Sequence, residues 1–210
     1  MPMMAVALLM LSVACGTADK KTSDGHHDQH GMAGADTMHV QHISLADNFV
    51  HSELIVLPDA IDPGPSVRNS LSEMVKAYLE IGNALTKDDL KAADAAIAEM
   101  LEKVKATDTL SITIDEKGAW NQHAALYSAK LQEMLHVQNL EAKRSYFGHI
   151  SEAMYCTVKS FEFDHTPLYA NHCPMAFDNK GAYWLSAATE IENPYFGSKM
   201  LKCGKREEEL

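Results

Sequence analysis

Two cysteines near the C-terminus, Cys173 and Cys203, each have a methionine close by: Met175 in Cys-Pro-Met and Met200 in Met-x-x-Cys. His172 adds an imidazole. Thiolate, thioether and imidazole together are the donors that a soft ion such as Cu(I) or Ag(I) selects, whereas Zn(II) would draw on the thiolates and imidazole alone. A disulfide is the competing reading. Outside the cytoplasm it would close a loop of about 31 residues and stabilise it by roughly 3–4 kcal/mol on the chain-entropy account. An oxidised pair cannot bind an ion as thiolates, so the two roles would alternate.

A second donor set lies near the N-terminus. His26, His27, His30, His39 and His42, with Met32 and Met38, fall within 17 residues of a polar, glycine-containing stretch. Such a tract can gather around Cu(I), Cu(II) or Zn(II) without a preformed cavity. Of the histidines in helical patterns, His123 flanks a buried stripe and is the one expected to join the C-terminal donors. His136 follows thirteen residues later, about 220° around the helix, so the two cannot share an ion. His149 and Cys156 share a helix face with Glu152 but stand about 10 Å apart along the axis. His136 and His149 therefore read as hydrogen-bonded boundary residues. A redox sensor at Cys156 would need an accessible thiolate, which its apolar surroundings disfavour. There is no G-x-S-x-G, phosphate loop, H-E-x-x-H or C-x-x-C, and no catalytic residue is assigned; the chain does not read as an enzyme.

Four helical patterns must position these groups. The first opens near Ser70, with Glu73 completing a capping box, and buries Leu71, Met74, Val75, Tyr78, Leu79 and Leu85. The second opens at Thr86-x-x-Asp89 and buries Leu90, Ala93, Ile97, Met100, Leu101 and Val104. The third opens at Thr113 and runs through Trp120, Ala124, Tyr127, Leu131 and Met134 or Leu135. The fourth opens near Asn139, with Phe147, Ile150, Met154, Val158 and Phe161 inward. Short connections predict an all-α fold: an up-down four-helix bundle over 69–161, with an irregular cysteine-bearing lobe over 162–206 packed on it. Methionines in the stripes read as core filler. Residues 48–68 read as an extended transition segment, because Pro58, Pro63, Gly64 and Pro65 follow a short apolar run.

At 210 residues and net charge −11, with 29 acids against 18 bases, the chain has no basic stripe for nucleic acid or an anionic membrane surface. Residues 1–14 read as an export signal. The run Ala5–Leu11 is followed by Ser12-Val13-Ala14-Cys15, which resembles a bacterial lipoprotein cleavage box with Cys15 lipid-modified. No Lys or Arg precedes the apolar run, and Ser12 departs from the usual larger aliphatic. Residues 15–47 then form a disordered His/Met-rich tether. The membrane would be reached through the lipid anchor alone.

The stretch Cys-Pro-Met-Ala-Phe-Asp-Asn-Lys-Gly-Ala-Tyr-Trp-Leu-Ser (173–186), followed by Glu-Ile-Glu-Asn-Pro-Tyr-Phe-Gly-Ser-Lys-Met-Leu-Lys-Cys-Gly (190–204), resembles the signature of an uncharacterised bacterial domain family. The likeness extends upstream through Gln-Asn-Leu-Glu-Ala-Lys-Arg-Ser-Tyr-Phe (138–147), over roughly residues 68–206. That family occurs in small secreted lipoproteins and as a C-terminal extension of copper/silver efflux periplasmic adaptors. The resemblance implies a helical domain linked to heavy-metal resistance, with an efflux adaptor or pump component as partner. The expected function is a periplasmic or outer-membrane lipoprotein that binds a soft metal, Cu(I) before Ag(I) or Zn(II). The alternative is a disulfide-closed helical module that docks on an efflux or envelope partner without metal.

Overall fold

The computed structural model describes residues 44–108 and 112–210. The export signal, Cys15 and the tether donors His26, His27, His30, Met32, Met38, His39 and His42 lie outside the described residues. Among the described residues no helix is long and apolar enough to cross a membrane.

Among the described residues there are four long helices: α1 (Pro65–Thr86), α2 (Leu90–Ala106), α3 (Ile114–His136) and α4 (Leu140–Ser160). Their ends follow local chemistry. Helix α1 starts earlier than the Ser70 capping box suggests. Gly64, at φ +86, precedes Pro65, whose ring fixes a helical φ and whose missing N–H would have had no partner there. Ser70 sits inside the helix and donates to Ser66 O at 3.2 Å. Thr86 ends α1 rather than opening α2; Asp89 caps α2 by accepting the Ala92 N–H at 2.9 Å. Asn139 caps α4 in the same way, accepting from Ala142 N at 2.8 Å.

Consecutive helices pack side by side, and their apolar stripes meet in one core. Met74, Met100, Met134 and Met154 are fully buried in it. Tyr78 of α1 stacks on Phe147 of α4 at 5.0 Å between centroids and bonds Ser151 at 2.8 Å. A bundle-like helical body is therefore present.

The all-α expectation needs correction at the C-terminus. The supposedly irregular lobe holds a three-stranded antiparallel sheet in the order β2-β1-β3, from β1 (Tyr169–Cys173), β2 (Ala182–Ser186) and β3 (Lys205–Glu209). The sheet thus extends beyond residue 206. Central β1 and β2 are mostly buried, and β2 packs against α4. Strand β3, Lys-Arg-Glu-Glu-Glu, is an edge strand held by charge. Glu208 accepts from Tyr155 Oη at 2.6 Å and from Lys159 Nζ at 2.9 Å, and Arg206 lies over the Tyr169 ring at 3.6 Å.

The chain before α1 forms a strap across α3 and α4. Ser44–Asp47, read from the sequence as the end of the tether, cap and enter a short 3-10 turn (Leu45–Asn48). Phe49 then inserts between Tyr155 and Tyr183, 5.3 Å from each ring centroid. Side chains from the helices take up the strap's amides. Gln122 accepts from Ile55 N at 3.2 Å, and Ser160 Oγ accepts from Leu57 N at 3.0 Å. Ile61 finally pairs in parallel with Phe161.

Candidate dithiol site

Cys173 ends β1, and Cys203 lies two residues before β3. The β1–β3 ladder, with His172 opposite Lys205, brings the second cysteine back to the first. Their sulfurs are 3.0 Å apart, and both are thiols. Cys173 is fully buried; Cys203 is partly exposed.

Three features hold this return. Asn193 is fully buried: its amide donates to Cys203 O at 2.6 Å, and its carbonyl accepts from Tyr195 N at 2.8 Å. Cys203 N closes a turn on Met200 O at 3.0 Å. Gly204 lets the chain pass under Trp184. At φ +138, a Cβ there would stand 2.7 Å from the indole and 3.0 Å from His172 O. Gly204→Ala is therefore expected to destabilise the domain by about 1–3 kcal/mol through backbone strain and the clash. Urea unfolding checks this, and a loss below the resolution of the assay would show that the lobe yields freely.

Electrostatically Cys203 rests as a thiol. The Cys203 thiol is pushed up to about 11, first by its hydrogen bond to Cys173 and then by burial. Burial, with Glu152 nearby, pushes Cys156 up to about 12 within α4, so it offers no reactive thiolate.

The other expected donors do not gather at the sulfurs. Adjacent strand residues face opposite sides of a sheet, so His172 points away from Cys173. It stacks on Tyr183 at 4.4 Å, with Nδ1 3.6 Å from Glu207. Met175 is 46% exposed and borders a groove beside Ala142 and Phe177. That groove is floored by a left-handed run, Phe177, Asp178 and Asn179, at φ 52, 58 and 66. Met200 is half-buried in the turn before Cys203. His123 is fully buried and spent at both nitrogens: Nε2–H donates to Ile55 O at 2.8 Å, and Nδ1 accepts from Thr157 Oγ1 at 3.0 Å. Thr157 in turn bonds Tyr127 Oη at 2.8 Å. His136 Nδ1 bonds its own helix at Gln132 O. Among the described residues, no three His, Cys, Asp or Glu side chains converge as an ion-holding group.

Sequence reasoning overlooked His51 and Glu53. They sit in the strap, which has no helical or strand period to direct attention; His51 reaches His149 on α4, and Glu53 bonds His51. The available signal was His149-x-x-Glu152, a one-face pair on a predicted helix.

No curated protein and no solved structure matches the chain. A family model does match part of it: residues 74–166, from within α1 to just before β1, match the model described as "Protein of unknown function (DUF3347)", which leaves Cys173 and Cys203 outside the matched span.

Proposed function

We propose that this chain is an exported, lipid-anchored protein whose C-terminal dithiol takes up Cu(I), or Ag(I) in its place, and passes it to an efflux component. The observation that carries the reading is the 3.0 Å approach of Cys173 and Cys203, one sulfur buried and the other reachable. Two thiolates without a third strong donor fit a soft monovalent ion of low coordination number. A structural Zn(II) site draws four protein ligands, and the residues around the dithiol supply too few. At metal–sulfur distances near 2.3 Å, an ion between the sulfurs needs them to open to roughly 4 Å. Cys203, in a partly exposed turn, is the side that can move. His123 and His172 drop out of the ligand set in this reading, and Met200 and Met175 are the thioethers nearest in sequence. The soft-ion ligands expected in the tether would load the site.

Thiol-specific reagents on natively purified protein, followed by anaerobic Cu(I) competition against a chromogenic chelator, test this. The full chain is expected to hold one ion more tightly than Cys173→Ser with Cys203→Ser. Because Cys203 must shed a proton, affinity should rise by at least about tenfold per pH unit between pH 6 and 8. Equal affinity in the parent and the double variant would end the metal reading. The same sulfur approach favours a second reading, a lobe closed by a disulfide that docks on an envelope partner. Two oxidised cysteines resistant to mild reductant, with no Cu(I) taken up after full reduction, would establish that one instead.

A further inference from the structure

A second cluster of donors lies where the strap crosses α4. His51 Nε2 is 2.9 Å from His149 Nδ1, with the ring centroids 4.9 Å apart and the planes at 69°. Glu53 Oε1 is 2.9 Å from His51 Nδ1. A carboxylate at that position fixes the tautomer: Nδ1–H donates to Glu53, and Nε2 keeps its lone pair toward His149. One turn along α4, the Glu152 carboxylate accepts the N–H groups of Val50 and His51 at 3.0 and 3.1 Å. Glu53 thus sets the ring of His51, Glu152 sets its backbone, and α4 carries His149. Both imidazoles are oriented before any ligand arrives.

We propose that His51 Nε2 and His149 Nδ1 form a binding site for a borderline divalent ion, Cu(II) or Zn(II), with water completing the coordination. Imidazole is the ligand these ions share. At metal–nitrogen bonds of about 2.0–2.1 Å, two nitrogens in neighbouring coordination positions stand about 2.9–3.4 Å apart. The observed spacing falls in that range. Glu53 on the far nitrogen of His51 supplies the carboxylate–histidine arrangement that accompanies ligating imidazoles.

Proton accounting is simple. In the resting pair, His149 Nδ1–H donates to His51 Nε2. On binding, that proton moves through solvent to His149 Nε2, and both rings ligate as neutral imidazoles. The charged neighbours are Glu53 on the strap, Glu152 on α4, and Lys130 and Glu133 on α3. Lys130 is paired with Glu133 at 2.9 Å, which leaves the surroundings net negative.

The test uses the full chain with Cys173→Ser, Cys203→Ser and His26→Ala, His27→Ala, His30→Ala, His39→Ala and His42→Ala. This removes the dithiol and the tether imidazoles, so the outcome is independent of the dithiol reading. Cu(II) titration followed by electron paramagnetic resonance is expected to show one bound ion with hyperfine structure from two imidazole nitrogens. His51→Gln and His149→Gln should each lower affinity more than Glu53→Gln, which removes only the supporting carboxylate and should cost about tenfold. In the parent, Zn(II) should shift the ring ¹⁵N signals of His51 and His149 together, a readout that needs no variant to fold. Affinity unchanged in both histidine variants, or ring signals indifferent to Zn(II), overturns the proposal.

Discussion

Arg144→Ala is expected to destabilise the domain by about 3 kcal/mol, a large share of the stability of a chain this size. Arg144 is almost fully buried on α4, yet its guanidinium serves two other parts of the chain. Nε donates to Pro194 O at 2.8 Å in the lobe, and Nη2 donates to Leu85 O at 2.9 Å at the end of α1. Nη2 also pairs with Asp88 in the α1–α2 turn. Asp88 in turn accepts from Ser198 N at 3.2 Å, and the Ser198 and Arg144 bonds hold its carboxyl down at about 2. Gly197 makes room for this knot: at φ +55, a Cβ there would meet both Asp88 and Arg144. Alanine at 144 removes the guanidinium donors from two carbonyls and one carboxylate, leaving Leu85 O with the Asp88 N–H at 3.4 Å and the Asp88 carboxylate with Ser198. Because Asp88 is about a third exposed, water recovers part of that loss, which places the cost at the low end for a broken buried pair. Lysine should not restore it, since an ammonium cannot reproduce the planar fork. Guanidinium unfolding gives the number, and a loss under about 1 kcal/mol would mean the lobe is held to the helices by apolar packing alone.

The second large effect is a pH dependence traceable to His123. Burial lowers its pKa from an ordinary 6.5 to about 4, outweighing the Ile55 carbonyl, which favours the protonated ring. The unfolded chain therefore binds a proton between these values that the folded one does not. Stability from this group is fully present above pH 6.5, falls as pH drops toward 4, and is flat below. At about 1.4 kcal/mol per unit, the loss is about 3.5 kcal/mol. His149 and the carboxylates also titrate, so the informative quantity is the stability difference between the parent and His123→Gln. That difference should narrow by this amount as the pH falls from 6.5 to 4 in urea titrations. A difference constant with pH would show that the imidazole is protonated, or reached by water, in the folded state.

The helical body was legible because its signals are local and repeated. Stripes such as Leu71, Met74, Val75 and Tyr78 recur over whole helices, and Asn139 caps α4 with its own side chain. Cap positions were less secure where two residues compete: Thr86 and Asp89 could each open α2, and packing of the α1 end decided for Asp89. The sheet was not legible. Its strands are five residues long, too short for a period to stand out, and β3 is entirely charged. That segment becomes a strand because β1 offers it an open edge and α4 offers Tyr155 and Lys159 to Glu208.

The candidate sites divide in the same way. Residue types and spacing alone specified a helical protein with sulfur and imidazole donors gathered toward its ends, because composition and period are properties of the chain. Only the tertiary structure decided which donors meet. Strand pairing sets Cys203 against Cys173 and turns His172 to the opposite face, burial commits His123 to Ile55 and Thr157, and the strap delivers His51 to His149. Those outcomes depend on contacts between residues far apart in sequence, and no local pattern encodes them.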